Sequence, residues 1–498
     1  MGFGIWDLGF YLLMAEEIRV RIAPSPTGRF HIGTARTALF NYLFAKKFGG
    51  KFIVRVEDTD QERHDDSSLK DILEGLLWLG MSWDEGPEVG GPYGPYFQQE
   101  RLGLYQPFVD QLLEKKTAYR CYCTPEELTA ERESQQGHHA APKYSGRCRN
   151  LSAQEIDQFE QAGRTSAVRF VVEPQTVGFD DLVKGKVEFD ASLFGDFVIQ
   201  RSDGMPLFVF SNVIDDNLMK ISHVLRGEEH LVNTAKQMLL ANALNFLSPQ
   251  FGHFPLILNA DRSKMSKRKN PVSISDDYKA KGFLPDALVN FIALLGWNSG
   301  TDQEIFSLAE LVDEFEIKRV GTSPSIFDPE KLLWMNGYYI RQKSIGEIAS
   351  EAQNFITDKE LFQKTLAKPD YFLEAIGLVH DRMKILSETE GLINYFFTAP
   401  EYDPALLIAK KSTKENTLAA LKAAATVVGG LKTMALDEVE PALRGAATDL
   451  KIKDGELLWA VRVALSGRDA SPGAFELLSV IGREESLKRL NSAIAKFR

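Results

Sequence analysis

Two familiar phosphate-binding signatures are missing from this 498-residue chain. It has no G-x-x-x-x-G-K-[ST], so a P-loop does not hold its phosphate, and no G-x-G-x-x-G, which argues against a dinucleotide cofactor. No run of ~18 apolar residues occurs, so no membrane span is expected. Cysteine is scarce: Cys121, Cys123 and Cys148 are the only ones. An odd count without a secretory leader argues against a disulfide framework and for a reducing, cytoplasmic setting. Positive charge is short as well, with 58 Lys and Arg against 69 Asp and Glu and a net charge of −11. Any polyanion would therefore be met by local clusters such as residues 264–269, Lys318-Arg319 and Lys410-Lys411, with salt-sensitive binding. Internal repeats and low-complexity tracts are also missing. Hydrophobic and charged contents of 44% and 26% are those of an ordinary globular protein. The length implies more than one domain, at ~100–200 residues each.

What is present begins after residue 16. Residues 1–16 are apolar with Asp7 inside, lack a basic leader segment, and read as an extension, with Met14 an alternative start. Ile18-Arg19-Val20-Arg21-Ile22-Ala23 alternates apolar and charged residues, which predicts a strand. Pro24-Ser25-Pro26-Thr27-Gly28 ends it, because proline removes a ladder donor and fixes φ. A helix is expected from near Gly33, with Ala35, Ala38, Leu39 and Tyr42 on one face. Gly49-Gly50 stops it, and Phe52-Ile53-Val54-Arg55-Val56 is the next strand. The loop thus sits at a helix N-terminus between two parallel strands, where phosphate is favoured. His31 stands at that helix start as a donor to phosphate oxygen, and Gly33 leaves room for close approach of a base.

Far downstream, Ser263-Lys264-Met265-Ser266-Lys267-Arg268-Lys269 packs four cations into seven positions. A solvated basic loop is the plain alternative. Cations so placed also suit a pyrophosphate leaving group, whose bridging oxygen gains charge as the bond breaks. Cys121-Tyr122-Cys123 and Cys148 cluster within one short stretch, as ligands of a tetrahedral Zn²⁺ do. Their alternative is three ordinary thiols. For a fourth ligand, Tyr144, His138 and His139 are all near in sequence.

These segments resemble the class I aminoacyl-tRNA synthetases, and within them the bacterial glutamyl-tRNA synthetases. The resemblance runs from about Glu17 to the C-terminus. It rests on Arg21-Ile22-Ala23-Pro24-Ser25-Pro26-Thr27-Gly28 with His31-Ile32-Gly33-Thr34, on Val54-Arg55-Val56-Glu57-Asp58-Thr59-Asp60, on Trp83-Asp84-Glu85-Gly86-Pro87, on Arg226-Gly227-Glu228-Glu229-His230 and on Trp334-Met335-Asn336-Gly337. The chain departs from the common pattern at Thr34, at Arg268 and at Phe208, where some relatives carry a tyrosine.

The resemblance implies an α/β fold: a Rossmann-type class I synthetase catalytic domain with an insertion that binds the tRNA acceptor end, then an all-α anticodon-binding half. It implies boundaries at 17–115 and 208–250 for the two catalytic halves and 116–207 for the insertion. A connecting module with the lysine loop would span 251–341, and the helical region 342–498. The implied reaction joins L-glutamate to tRNA(Glu) through a glutamyl-adenylate at the expense of ATP, with Mg²⁺ carried on ATP. His31, Lys264 and Lys267 would be catalytic. Gly33, Thr34, Glu229 and Ser266 would join them around ATP. Arg21, Ala23, Ser25, Glu57, Phe208, Asn212 and Arg226 would hold glutamate, with the two arginines on its side-chain carboxylate. Tyr144 would complete the zinc set as a phenolate. Arg382 falls near a position that contacts an anticodon base. A cytoplasmic monomer is expected. Alternatives are an enzyme charging both tRNA(Glu) and tRNA(Gln), a glutaminyl enzyme, a tRNA-base-modifying relative, a non-catalytic tRNA-binding paralogue, and a small nucleotidyltransferase.

Overall fold

The computed structural model describes residues 17–60, 65–136, 143–263, 265 and 272–497. Residues 1–16, His138, His139, Lys264, Ser266 and Lys267 lie outside the described residues. Two compact units form. One runs to Asp277 and includes Leu288–Asp328, and the other joins Tyr278–Ala287 to the chain from Pro329 onwards.

Nine strands of the first unit position the site. They are β1 (Arg19–Ile22), β2 (Lys51–Val54), β3 (Ala118–Cys121), β4 (Ala167–Phe170), β5 (Thr176–Asp181), β6 (Gly185–Asp190), β7 (Phe197–Gln200), β8 (His223–Gly227) and β9 (Gln250–Phe254). Six of them make one sheet in the order β2-β1-β8-β9-β5-β6. Its pairs are parallel except for the β5–β6 hairpin at the edge. The crossover from β1 to β2 is helix α1 (Ile32–Lys47). β1 has β2 on one side and β8 on the other, so the strand order reverses there. That reversal opens a crevice at the strands' carboxyl ends.

The strand expected at residues 18–23 forms as β1. All four of its residues are buried, the charged ones included. Arg19 is satisfied by Glu85 through Nη1–Oε1 and Nη2–Oε2 bonds of 2.7 and 2.9 Å, and Arg21 by Asp216. Alternation here separates two buried faces, one apolar and one paired. Helix α1 is likewise buried on more than one side, with Phe40, Leu43 and Phe44 covered beside Ala35, Ala38 and Leu39. It ends where expected: Gly49 takes φ +65, and a Cβ on Gly50 would strike the backbone oxygen of Ile18.

The segment expected to form one insertion divides. β3, β4 and β7 make a separate antiparallel sheet, whereas the β5–β6 hairpin joins the main sheet through Asp181 beside Phe251. The second half of the sheet is reached through helix α2 (Phe208–Leu218) and followed by helix α3 (Leu231–Leu244).

In the second unit, no strand occurs among the described residues. Three of its helices begin at polar caps: Ser344 and Glu347 form a capping box, and the side chains of Asp358 and Thr413 accept from backbone N–H groups of the following turn. Phe372, Val379, Leu421, Val461 and Leu477 lie in its core. Ser471-Pro472-Gly473 separates the helices Asp454–Ser466 and Ala474–Ile481, as its turn chemistry demands.

Candidate active site

The loop after β1 is pinned before any ligand arrives. Glu57 N–H donates to the Pro24 carbonyl at 2.9 Å, Thr27 N–H to Ser25 at 2.8 Å, and Phe30 N–H to the Asp71 carboxylate at 2.7 Å. His31 caps α1: its Nδ1 accepts from Thr34 N–H at 3.3 Å, and Thr34 Oγ1 lies 3.1 Å from Nε2. Gly33 leaves that cap unstrained, because a Cβ there would sit 3.2 Å from the His31 ring and push it aside. The room expected for a base is therefore also room for the histidine itself. Ile32 N–H donates to Val272 and Ile274 N–H to Phe30, so the chain just past the lysine cluster is laced to this loop.

A cavity of about 540 Å³ opens over the carboxyl ends of β1 and β8. Arg21, Ala23, Ser25, His31, Gly33, Thr34, Glu57, Phe208, Asn212, Arg226 and Glu229 all line it. Every described residue of the expected ATP and glutamate sets is thus in one place. Lys264, Ser266 and Lys267 are not described, but Met265 between them and Val272 a few residues on border the same cavity. Arg36, Thr37 and His230 also line it and were not singled out in the sequence.

Beneath the cavity is a buried charge network. Asp216 holds Arg21 through bonds of 3.0 and 3.2 Å and Arg55 through one of 2.7 Å. Burial would raise the Asp216 carboxyl, but Arg21 and Arg55 pull it down to about 2. Asn212 accepts from Arg55 at 2.9 Å and donates to Glu57 at 2.8 Å. Arg55 lies within 3.8 Å of Asp215 and 3.7 Å of Glu57, so it belongs to an internal ion-pair network. Asp58 instead accepts from the backbone of Gln99. Burial pushes Glu57 up against the pull of Arg55 and Asn212.

Arg226 is arranged differently. It is 5% exposed, and its Nη2 donates to Thr234 Oγ1 at 2.7 Å and Gln237 Oε1 at 2.5 Å. Its Nε and Nη1 are buried without a hydrogen-bond partner among the described residues. Burial, and then the Arg21 charge, push it down to about 9, which leaves it charged at pH 7. His230 beside it is pushed down to about 4 by burial and by Arg226 and Arg21, so its ring is neutral there. The Phe208 ring packs on His230 with centroids 5.3 Å apart. The cavity thus offers a guanidinium with two open donors, a buried carboxylate and a capped helix N-terminus. That combination suits a small amino acid with an anionic side chain next to a phosphate.

The three cysteines converge in the first unit. Their sulfur atoms lie within 4.8 Å of one another. The Tyr144 hydroxyl is 3.5 Å from Cys121 Sγ and 3.4 Å from Cys123 Sγ, and Cys123 and Cys148 are 3.5 Å apart. These spacings fit the edges of a tetrahedron about Zn²⁺, whose bonds to sulfur and oxygen run to about 2.3 and 2.0 Å. Cys148 draws the Cys121 thiol well below its usual range, with further help from Tyr144 and Arg169. Arg169 lies 3.8 Å over the Tyr144 ring. Elsewhere in this unit Arg319 donates to the Ser299 carbonyl and pairs with Glu316.

No helix among the described residues is long and apolar enough to cross a membrane. The family described as tRNA synthetases class I (E and Q), catalytic domain, matches residues 17–334, and an anticodon binding domain matches residues 347–494. Glutamate–tRNA ligase 1 of Syntrophomonas wolfei is 42% identical over 487 residues, covering 96% of this chain and 96% of that protein. The glutamate–tRNA ligase of Dehalococcoides mccartyi strain 195 is 43% identical over 487 residues, covering 97% and 99%. The crystal structure of a glutamate tRNA ligase from Elizabethkingia meningosepticum in complex with its amino acid superposes with a TM-score of 0.86 at 33% identity, covering 97% of this chain and all of that one. With its Rossmann-like sheet, its helical C-terminal unit and these matches at both ends, the chain belongs to the class I tRNA synthetases of the E and Q family.

Proposed function

We infer that this chain is a glutamate–tRNA ligase. The glutamate α-carboxylate attacks the α-phosphorus of ATP and pyrophosphate leaves. The terminal ribose hydroxyl of tRNA(Glu) then attacks the glutamyl-adenylate carbonyl and AMP leaves. No protein nucleophile is required, because such transfers depend on positioning and charge neutralisation.

The observation that carries this reading is Arg226: a buried guanidinium whose Nε and Nη1 are unpartnered at the wall of the cavity. An unpaired buried charge is costly, and a carboxylate side chain relieves it by a charge-assisted hydrogen bond. Arg21, clamped by Asp216, edges the side-chain end of the pocket, and Glu57, set by Asn212, takes the α-amino group. Ser25 and Ala23 border the α-carboxylate. His31, Gly33, Thr34 and Glu229 hold ATP at the N-terminus of α1. Lys264, Ser266 and Lys267 complete the phosphate side, supported by the placement of Met265 and Val272 at the cavity. Mg²⁺ carried on ATP offsets phosphate charge, and an ion bound mainly through phosphates needs few protein ligands.

Cys121, Cys123, Cys148 and Tyr144 hold a structural Zn²⁺ that fixes the acceptor-binding insertion, whose extent we place at 116–207 with its central hairpin shared with the main sheet. The helical unit reads the anticodon. There Arg462 lies over Trp459 and Arg468 over Tyr395, with Arg382 near enough to act on both Arg462 and Tyr395. Cations placed in this way suit RNA phosphates. The enzyme works as a cytoplasmic monomer. Exchange of labelled pyrophosphate into ATP is expected to require glutamate and tRNA(Glu) together. Exchange driven by glutamine, or none with glutamate, would refute the assignment.

A further inference from the structure

Arg226 is held by neutral atoms, and behind them runs a buried chain that the reaction itself does not use. Arg226 on β8 and His253 on β9 are register partners, and Asp181 ends β5 on the far side of β9. Asp181 is fixed by backbone N–H groups of Val183, Lys184 and His253 on Oδ1, at 2.9, 2.8 and 3.1 Å. Its Oδ2 lies 2.6 Å from His253 Nδ1. His253 Nε2 lies 2.9 Å from Thr234 Oγ1, which accepts from Arg226 Nη2 at 2.7 Å. Asp181, His253, Thr234 and Arg226 are all buried.

The donors and acceptors run in one direction. An ionised Asp181 accepts the Nδ1 proton and so sets the imidazole tautomer. Nε2 is then an acceptor. The single proton of the Thr234 hydroxyl goes to Nε2 at 2.9 Å in preference to the His230 carbonyl at 3.2 Å. The threonine lone pairs are thereby left to Arg226.

We propose that Asp181, acting through His253 and Thr234, is a positioning residue that sets the Arg226 guanidinium so that the donors it leaves unpartnered are kept for the glutamate side-chain carboxylate. A carboxylate placed directly on Arg226 would orient it equally well but would cancel its charge. A neutral imidazole and hydroxyl deliver the orientation and leave the charge to the substrate. The device also explains why a hairpin from the insertion segment is built onto the main sheet, since that edge carries Asp181. This inference rests on the glutamate reading of the cavity.

The test uses the full-length enzyme in tRNA charging at saturating ATP and tRNA. Arg226→Gln sets the scale. If it leaves the glutamate KM unchanged, the cavity reading fails, and the relay with it. Once Arg226→Gln raises that KM, Asp181→Asn and Thr234→Val are each expected to raise it about tenfold, the loss of roughly one buried hydrogen bond to a charged group. Both should leave kcat and the ATP KM within about twofold. Thr234→Ser, which keeps the hydroxyl, should restore the glutamate KM. In the Arg226→Gln background Asp181→Asn should add little, because the two act as one unit. A wild-type glutamate KM in Thr234→Val, an equal rise in the ATP KM, or a Thr234→Ser enzyme as impaired as Thr234→Val would overturn the proposal while leaving the cavity reading intact. Should Asp181→Asn not yield folded protein, the valine and serine variants decide alone.

Discussion

Arg21 and Arg226 face one cavity from neighbouring strands, yet they are held in opposite ways. Arg21 is clamped by the Asp216 carboxylate at two points. Arg226 is held only by Thr234 and Gln237, with Nε and Nη1 unpartnered. The first arrangement is electrostatically closed. The second is open and waits for an anion. The protein therefore uses one arginine to complete its own charge network and edge the pocket, and keeps the other short of a counter-ion so that the substrate supplies it. Sites of this kind sacrifice stability for affinity.

The sharpest way to break that contrast is Arg226→Met. It removes the open donors and an uncompensated buried charge together. We expect kcat/KM for glutamate to fall by about 10²- to 10³-fold, the loss of two charge-assisted hydrogen bonds. Tm should hold or rise, because the replacement is apolar and of similar length. A large drop in Tm with an unchanged glutamate KM would show that Arg226 is structural after all.

Asp216→Asn attacks the closed side. Removing one partner of a buried pair costs about 3 kcal/mol or more, and here Arg21 and Arg55 both lose it. The sign with pH follows from the carboxyl being lowered to about 2 in the folded state. Its contribution is present above the ordinary carboxylate value near 4 and is lost as pH falls towards 2. Denaturation midpoints measured from pH 6 to pH 2 should therefore show a flatter acid limb for Asp216→Asn than for the wild type. Parallel curves would mean that Asp216 is not the charge that holds Arg21.

This contrast was not legible in the sequence. The motif loop was: His31, Gly33 and the prolines act over a few residues, and their spacing announces a strand, a turn and a helix start. The cysteine cluster was legible for the same reason. Arg21 and Arg226 were found through family segments, but their different states depend on partners on other elements. Asp216 is 195 residues from Arg21. His253 reaches Arg226 only because β8 and β9 pair in register. No local period marks Asp181, Thr234 or His253, because what joins them is the pairing of β5, β8 and β9 and not their spacing in sequence. β1 was legible as a strand, but the burial of its arginine face was not, since that face is covered only because distant carboxylates arrive to meet it.

Cys121→Ser probes whether the contrast is confined to the cavity. The cysteine cluster makes no hydrogen bond to either arginine among the described residues, so metal analysis should fall from about one zinc per chain to none. The KM for tRNA should rise and the glutamate KM should stay within about twofold. A metal-free wild-type preparation with full activity would remove the zinc reading. A glutamate KM that follows the metal would show the two regions to be coupled.

The smallest effect is expected at Phe208, on the open side. Its ring packs on the neutral His230 and is 37% exposed at the cavity. Phe208→Tyr keeps the ring contact and adds a hydroxyl where the wild type presents only carbon. Nothing charged is buried and no partner is lost, so Tm should not move. The new donor meets either water or the substrate, and a net gain of about 1 kcal/mol is the most that a neutral hydrogen bond provides. The glutamate KM should therefore fall by no more than about fivefold, with kcat unchanged. Because Arg226 already supplies the charge recognition, the hydroxyl should not alter the preference for glutamate over glutamine. If Phe208→Tyr instead raises the glutamate KM, the ring edge is packed against the substrate with no room for an oxygen, and the open side of the cavity is narrower than its volume implies.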